Sequence, residues 1–168
     1  MKLTHSLALT LPLVSNWAMA ADLTVKFELP QLNVAEYHKP YVAIWIERAD
    51  QGVAQTLAVL YETRKRNNGG AKYLKDLRTW WRKAGEETTL PMDGVSGATR
   101  PPGLQTMSFP AARLDKLPPG DYKLVIEAAR EDGGREVVRL PLHWAPGSTF
   151  AAASAGKEEL GAVSLSVQ

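Results

Sequence analysis

Residues 118–144 read PPGDYKLVIEAAREDGGREVVRLPLHW, and this stretch decides the fold class. The Pro-Pro-Gly-Asp turn at 118–121 leads into a run rich in apolar and β-branched residues at 122–131. The turn Asp132-Gly133-Gly134 then leads into a second such run at 135–144. Asp and Gly tolerate the positive φ angles that tight hairpin turns need. The stretch therefore predicts two antiparallel strands joined by a hairpin.

Strand patterns also lie on both sides of this hairpin. Apolar residues alternate with polar ones at 23–29 and again at 163–167, which is the period of a half-buried strand. Residues 41–46 form a continuous apolar, aromatic and β-branched run, which suits a strand buried on both faces. Another apolar run at 54–61 follows an acidic turn at 50–52, so these two runs predict a second hairpin.

One helix is predicted between the strands, at 72–84. Its apolar side chains recur with the spacing of one helix face, and Gly85 is a good terminator. The stripe consists of Leu74, Leu77, Trp81 and Ala84. Residues 86–110 are rich in Gly, Pro, Thr and Ser, and a loop of this length inside a compact domain is usually functional or disordered. A second loose segment of Ala, Ser and Gly is expected at 145–156.

These patterns amount to six or seven strands, each bounded by turn signals, with one inserted helix. They contain no βαβ alternation, which argues against a parallel, doubly wound sheet. We therefore expect a mainly β protein, a single antiparallel sandwich of immunoglobulin or fibronectin type over residues 21–168. Because such sandwiches host many unrelated functions, function has to be inferred from particular residues.

The first residues of the chain have the organisation of a cleavable secretory signal peptide. Lys2 is followed by a short apolar stretch at 7–14 and by the small-x-small cleavage signal Ala18-Met19-Ala20. The apolar stretch is too short to span a bilayer. We therefore predict a signal peptide at 1–20 with cleavage before Ala21, a periplasmic location, and a mature chain without an integral membrane segment.

Composition excludes several kinds of chemistry. The chain has no cysteine, which excludes disulfides, thiolate metal sites and cysteine nucleophiles. With 20 basic and 18 acidic residues it is nearly neutral, so its charge indicates no nucleic-acid partner. His38 and His143, the histidines outside the signal peptide, have no carboxylates at ligand spacing, and no metal site is predicted. The chain shows no Ser-His-Asp arrangement, and Ser96 has no neighbouring base.

The heptapeptide from Asp93 to Thr99 reads DGVSGAT and carries the most specific chemistry in the chain. It resembles the acceptor motif Asp-x-x-(Ser/Thr)-Gly-Ala-(Thr/Ser), to whose final hydroxyl a flavin transferase attaches FMN through a phosphoester. The resemblance implies that Thr99 carries covalent FMN and that Asp93, Ser96, Gly97 and Ala98 form the recognition sequence around it. The same residues also suit an ordinary exposed turn, since Asp-Gly pairs and Gly-rich segments are common in loops.

The likeness to a known family extends beyond this motif. It includes Trp45-Ile46-Glu47, the segment at 72–77, Trp80-Trp81, Pro119-Gly120-Asp121-Tyr122 and the segment at 127–131. The chain resembles a family of predicted periplasmic proteins of unknown function that are associated with PepSY-type membrane reductases and flavin transferases. The resemblance implies a periplasmic electron carrier. A transferase that consumes FAD and requires a divalent cation would load it, and a transmembrane PepSY-type reductase would reduce it.

Features next to the motif suggest further contacts with the flavin. Arg100 directly follows the acceptor and can pair with its phosphate. Trp80 can place an aromatic face against the isoalloxazine ring, whereas Trp81 fits the apolar stripe and is expected in the core. Residues 61–84 are strongly basic, which suits docking to an acidic redox partner or attraction to phosphates. A solvated helix face explains the same charges.

Two functions remain open for this sequence. The first is a redox carrier, rather than an enzyme with its own substrate, in which the chemistry belongs to the cofactor. The second is a non-redox binding or structural module of immunoglobulin type, whose glycine-rich loop contacts another protein. Flavinylation of Thr99 distinguishes the two.

Overall fold

A computed structural model describes residues 22–168, and the predicted signal peptide at 1–20 lies outside these residues. The described residues form nine strands, numbered in chain order. They are β1 Leu23–Leu29, β2 Tyr41–Glu47, β3 Val53–Tyr61, β4 Ser96–Ala98, β5 Gly103–Phe109, β6 Gly120–Ala129, β7 Arg135–Trp144, β8 Phe150–Ala155 and β9 Ala162–Val167. Short helical turns lie at Arg66–Asn68 and Ala111–Arg113, and a longer helical segment lies at 71–85. Strands greatly outnumber helices, so the predicted mainly β fold is confirmed.

The strands form two sheets that pack face to face. One sheet has the order β5-β1-β9-β8, and the other has the order β4-β3-β2-β6-β7. Neighbouring strands are antiparallel except β3 and β4, which run parallel. The two-sheet architecture agrees with the predicted sandwich, while the parallel edge pair makes the larger sheet mixed rather than purely antiparallel. The immunoglobulin or fibronectin type of the sandwich stays a prediction.

Strands β6 and β7 are the hairpin predicted from residues 118–144. Their register begins with Gly120 opposite Trp144 and continues unbroken to the turn. In the turn, Asp132 has a φ of 52°, a left-handed conformation that Asp adopts more easily than most residues. Since β6 also pairs with β2, the hairpin forms one side of the larger sheet.

The main core fills the space between the two sheets. Alternate residues of β1 point into it, as the sequence pattern predicts, and they meet inward residues of the larger sheet. Its buried side chains include Phe27, Ile44, Leu60, Ile126 and Leu165. Burying one such side chain contributes roughly 1.5–3 kcal/mol relative to leaving it exposed. This core is therefore the main source of stability of the sandwich.

A second core covers the outer face of the larger sheet. Here the helical segment 71–85 packs over β2, β3 and β6, and its Leu74 and Leu77 meet Trp45 and Tyr61 of the sheet. Every residue of β2 is therefore buried, as its continuous apolar run predicts. The loop that precedes β4 adds Val95 to the same cluster, so the heptapeptide 93–99 lies beside this core.

The predicted helix at 72–84 is not one regular helix. It consists of a 3₁₀ turn at Ala71–Asp76, one α-helical turn at Arg78–Trp80 and one π-helical turn at Trp81–Gly85. Leu77 interrupts it with a φ of −74° and a ψ of 65°. The apolar spacing therefore correctly predicts that one face of this segment is covered, but its prediction of one continuous helix is wrong.

Two predicted loops contain strands. Residues 86–110 include β4 and β5, so this stretch is not one long loop, and the predicted loose segment 145–156 includes β8. Strand β4 is Ser-Gly-Ala and β8 consists largely of Ala, so neither shows the β-branched residues that usually mark a strand. Pairing with β3 and β9, rather than their own composition, makes them strands.

Candidate cofactor attachment site

The heptapeptide 93–99 lies at the edge of the larger sheet, where its residues Ser96–Ala98 form β4. Backbone hydrogen bonds to β3 hold the residues just before and just after this strand. The N–H of Val59 donates to the carbonyl of Val95 at 2.9 Å, and the N–H of Thr99 donates to the carbonyl of Tyr61 at 3.2 Å. The motif is therefore part of the sheet rather than a free glycine loop, and its last residue is held where the edge strand ends.

A tight turn precedes β4. Gly94 has a φ of 71°, a conformation that glycine adopts without strain. The Ser96 hydroxyl accepts the N–H of Met92 at 3.0 Å, and the N–H of Ser96 donates to the carbonyl of Met92 at 2.9 Å. Asp93 lies in the turn with its side chain exposed. Ser96 thus closes the turn, while Asp93 stays accessible on it.

Arg113, which sequence reasoning missed, anchors this turn to the sheet. Its guanidinium donates to the carbonyl of Gly94 at 2.8 Å and to the carbonyl of Leu57 at 2.9 Å. Partial burial lowers the pKa of the Arg113 guanidinium, but arginine stays protonated in proteins. No local sequence signal marks this residue, because its contacts to the turn and to β3 arise only in the folded chain.

Gly97 allows β4 to lie close against β3. A Cβ atom added at Gly97 would lie 2.9 Å from Leu60 Cδ2, and Leu60 is buried in the main core. Ala98, the next residue, is exposed. The resemblance to the acceptor motif implies that these two small residues belong to its recognition sequence. The structure adds a packing reason for Gly97 that is independent of any ligand.

The Thr99 hydroxyl faces a carboxylate. The side chain of Thr99 is half-buried, and its Oγ1 donates to Glu62 Oε1 at 3.0 Å. Glu62 directly follows Tyr61, and Tyr61 pairs with Ala98 in the parallel ladder. Glu62 and Thr99, which follow Tyr61 and Ala98 in the chain, therefore lie side by side. Sequence reasoning missed Glu62 because it is distant from Thr99 along the chain and no motif connects the two.

A cavity of about 260 Å³ lies beside Glu62. Its wall includes Tyr41, Lys65 and Tyr73. The Nζ of Lys65 lies 5.0 Å from the centre of the Tyr73 ring and that of Lys72 lies 4.6 Å from it, within the range of cation–π attraction. The cavity therefore combines two tyrosine rings and lysine side chains with three carboxylates, those of Asp76, Glu131 and Glu62, the last of which binds Thr99.

The wall of this cavity is closely packed at Tyr41 and Gly70. The Tyr41 hydroxyl donates to the carbonyl of Gly70 at 3.1 Å. Burial raises the pKa of Tyr41 to about 12, so this hydroxyl stays protonated at neutral pH. A Cβ atom added at Gly70 would collide with the carbonyl of Glu62. Glycine is therefore needed at position 70 for the helical segment to approach the end of β3.

Residues 22–162 match the protein family described as "Predicted periplasmic protein (DUF2271)". The chain belongs to this family. Membership confirms the predicted periplasmic location and the resemblance to a family of predicted periplasmic proteins of unknown function. No match is found among curated proteins or among solved structures. Within the described part of the chain, no helix is long and apolar enough to cross a membrane.

Of the two tryptophans of this DUF2271 protein, Trp80 is more buried than predicted, while Trp81 packs against the second core as a partly buried residue. Trp80 is fully buried, and its Nε1 donates to Thr56 Oγ1 at 3.1 Å. Trp81 is half-buried and lies edge-on to Trp80, with the ring centres 6.3 Å apart. The interruption at Leu77 shifts the helical phase, so that Trp80 rather than Trp81 faces the sheet. The prediction that Trp80 is free to stack on a flavin ring is therefore wrong, and the tyrosines on the cavity wall are Tyr41 and Tyr73.

The basic side chains of 61–84 are mostly exposed in this DUF2271 protein. Those that are exposed are Arg64, Lys65, Arg66, Lys72, Lys75, Arg78 and Arg82. Lys83 is more buried, and its Nζ lies 2.6 Å from Oε1 of the buried Glu47. Arg100 is exposed directly after Thr99. Most of this positive charge therefore lies where an acidic partner or a phosphate can reach it.

Proposed function

We propose that this periplasmic protein is an electron carrier with FMN attached covalently through a phosphoester to Thr99. The acceptor-type sequence 93–99 is the chemical basis of the proposal. One structural observation supports it above others: the Thr99 hydroxyl is half-buried at the end of an edge strand. A phosphoester requires a hydroxyl that a transferase can reach, and a threonine between the two sheets would not meet that requirement.

Asp93, Ala98 and Arg100 beside Thr99 suit the transferase and the attached phosphate, whereas the carboxylate of Glu62 opposes the phosphate charge. Asp93 and Ala98 are exposed on the same edge, so an enzyme can contact the motif without unfolding the sheet. Arg100 is exposed beside the acceptor and supplies a positive charge for the phosphate. These residues therefore fit an attached FMN at its phosphate end.

The cavity beside Glu62 suits partial cover of the flavin ring. Aromatic pairs prefer offset stacking, so the ring of Tyr73 would be a favourable partner for an isoalloxazine once Lys65 and Lys72, whose Nζ atoms lie over it, moved aside. Lys65 lies on the wall together with the carboxylates of Glu62, Asp76 and Glu131, so the cavity itself carries no excess of positive charge. The cavity measures about 260 Å³, which is below the roughly 300–1,000 Å³ usual for enclosed ligands. A partly covered ring keeps an edge accessible, as electron exchange with a partner requires.

Bound FMN would supply the electron-transfer chemistry, and the protein would bind and orient the ring and tune its potential. We infer that a flavin transferase loads the chain, using FAD and a divalent cation. We further infer that a transmembrane PepSY-type reductase supplies the electrons. The exposed cations of 61–84 support docking to an acidic surface on such a partner.

Intact-mass measurement tests this proposal. Co-expression of the full chain with a flavin transferase should yield exported protein that is heavier by one FMN residue. Thr99→Ala should abolish the added mass. Thr106→Ala, which changes an exposed threonine on β5, should leave the added mass unchanged. Flavin absorbance that stays with the denatured chain would establish that the attachment is covalent.

An unmodified wild-type chain under these conditions would contradict the proposal. It would favour the alternative function, a non-redox binding or structural module of immunoglobulin type. Added mass that persists in Thr99→Ala would instead assign the attachment to another residue. Both outcomes are distinct from the expected one, in which loading depends on Thr99 alone.

A further inference from the structure

We propose that Glu62 is a catalytic residue for the loading of its own chain, because its carboxylate accepts the proton of the Thr99 hydroxyl as the phosphoester forms. The inference rests on the proposed function, since it concerns the reaction that attaches FMN. It assigns to the acceptor protein a chemical step that the heptapeptide 93–99 does not contain. Glu62 lies outside that heptapeptide and reaches Thr99 only through the pairing of β3 with β4.

The geometry of the contact is that of a base and its substrate. The oxygens of Thr99 and Glu62 lie 3.0 Å apart. A general base needs a separation of about 2.6–3.2 Å from the atom that loses the proton. The hydroxyl must be the donor, because an ionised carboxylate can only accept. The proton therefore already points at the group that receives it, and a lone pair of Thr99 Oγ1 remains for the attack on phosphorus.

Transfer of a phosphoryl group to threonine requires such a base, because a neutral hydroxyl is a weak nucleophile. In the reaction, a bond forms between Thr99 Oγ1 and the phosphorus of the FMN half of FAD. The anhydride bond to the AMP half breaks, and AMP leaves with the electron pair of that bond. The hydroxyl proton moves to Glu62 and from there to solvent. No group is oxidised or reduced in this step.

The charge of Glu62 favours the role of proton acceptor over that of a residue that only accepts a hydrogen bond. A carboxylate that stayed ionised beside the acceptor oxygen would repel the incoming phosphoryl group. Once Glu62 has taken the proton it is neutral, so the repulsion falls while the new bond forms. Proton transfer therefore lowers the repulsion while the bond forms, and the negative charge returns only when the proton has passed to solvent.

The fold holds Glu62 in place independently of any ligand. Its neighbour Tyr61 pairs with Ala98, and the carbonyl of Tyr61 accepts the N–H of Thr99. On the other side, the backbone of Glu62 lies against Gly70 so closely that an added Cβ atom would collide with it. Strand register and backbone packing thus fix the positions of the two backbones from which these side chains extend.

Initial rates of FMN addition, followed by intact mass, test the assignment. The full chain is incubated with purified transferase, FAD and Mg²⁺ over a range of acceptor concentrations. Glu62→Gln keeps the size of the side chain and its ability to accept a hydrogen bond, but it cannot take the proton. We expect kcat to fall about 100-fold with KM for the acceptor little changed. Glu158→Gln, which alters an exposed glutamate between β8 and β9, should behave as the wild type.

A second variant tests the same step by chemical rescue. Glu62→Ala removes the carboxylate and leaves space for a small one, so added acetate should restore part of the rate. Acetate should not accelerate Glu62→Gln, where the amide fills that space. Thermal unfolding of each variant separates loss of chemistry from loss of the folded state.

A wild-type kcat in Glu62→Gln would overturn the inference. So would a rise in KM alone, because it would assign Glu62 to transferase docking, and so would a slow Glu62→Ala that acetate does not accelerate. In each of these cases the wild-type chain still acquires FMN and the proposed function stands. An unmodified wild-type chain would instead contradict the proposed function and, with it, this inference.

Discussion

Glu127, fully buried on β6, accepts the backbone N–H of Trp80 at 2.8 Å. The same carboxylate accepts the N–H of Thr79 and a guanidinium N–H of Arg135, the latter at 2.9 Å. These N–H groups belong to the first turn of the helix that begins after Leu77, where no intrahelical acceptor is available, so Glu127 satisfies them from the sheet. One acidic side chain therefore joins the helical segment 71–85 to the sheet.

Removing that carboxylate should destabilise the fold. Glu127→Ala is expected to lower the free energy of unfolding by about 3 kcal/mol, because buried N–H groups lose their acceptor. Urea unfolding followed by tryptophan fluorescence measures the change. Glu158→Ala, at an exposed glutamate, should stay within about 0.5 kcal/mol of the wild type. Equal stability of the two variants would show that apolar contacts alone hold the helical segment.

Gly70 should tolerate no side chain. Gly70→Ala is expected to lower the free energy of unfolding by about 1–3 kcal/mol, since the added Cβ atom meets the backbone of Glu62 rather than a movable side chain. Gly120→Ala is a matched control, because the nearest atom to its added Cβ, in Tyr122, is 3.8 Å away. Thermal unfolding of both variants checks the difference. A Gly70→Ala protein as stable as Gly120→Ala would mean that the end of β3 can move.

Loss of Arg113 should loosen the turn that carries Asp93. Arg113→Ala removes two hydrogen bonds from a charged donor, worth about 1.5–3 kcal/mol each. Amide hydrogens at 92–96 should therefore exchange at least about tenfold faster in hydrogen–deuterium exchange mass spectrometry. Lys116→Ala, at an exposed residue nearby, should leave the exchange unchanged. If Arg113→Ala exchanges like the wild type, the parallel ladder with β3 is sufficient to order the turn.

Tyr41 should make stability fall at alkaline pH. Burial raises the pKa of its hydroxyl from 10.0 to about 12, so the folded protein keeps this proton at a pH where the unfolded chain releases it. The stabilising contribution is complete below the unfolded pKa and is lost as the pH rises from about 10 to about 12. Urea unfolding across this interval should show the decline, and Tyr41→Phe should flatten it. An unchanged slope in Tyr41→Phe would assign the dependence to other groups.

Local sequence patterns were sufficient for most of the sandwich. The alternation at 23–29, the apolar run at 41–46 and the turn at 132–134 act over a few residues, and β1, β2 and the β6–β7 hairpin follow them. Strands β4 and β8 could not be predicted in this way. Their small residues carry no strand preference of their own, and only pairing with neighbours distant in sequence makes them extended.

The sequence by itself determined that the chain carries a heptapeptide ending in Thr99 that resembles a flavin acceptor motif, because such a likeness depends only on adjacent residues. Only the tertiary structure decided which groups surround it. The parallel pairing of β3 with β4 brings Glu62 to Thr99, and Arg113 reaches the turn through the fold. The buried carboxylate of Glu127 accepts backbone N–H groups at the start of the helical turn that carries the buried Trp80. These contacts join residues that are far apart in the chain, and they exist only once the strands have paired in their native register.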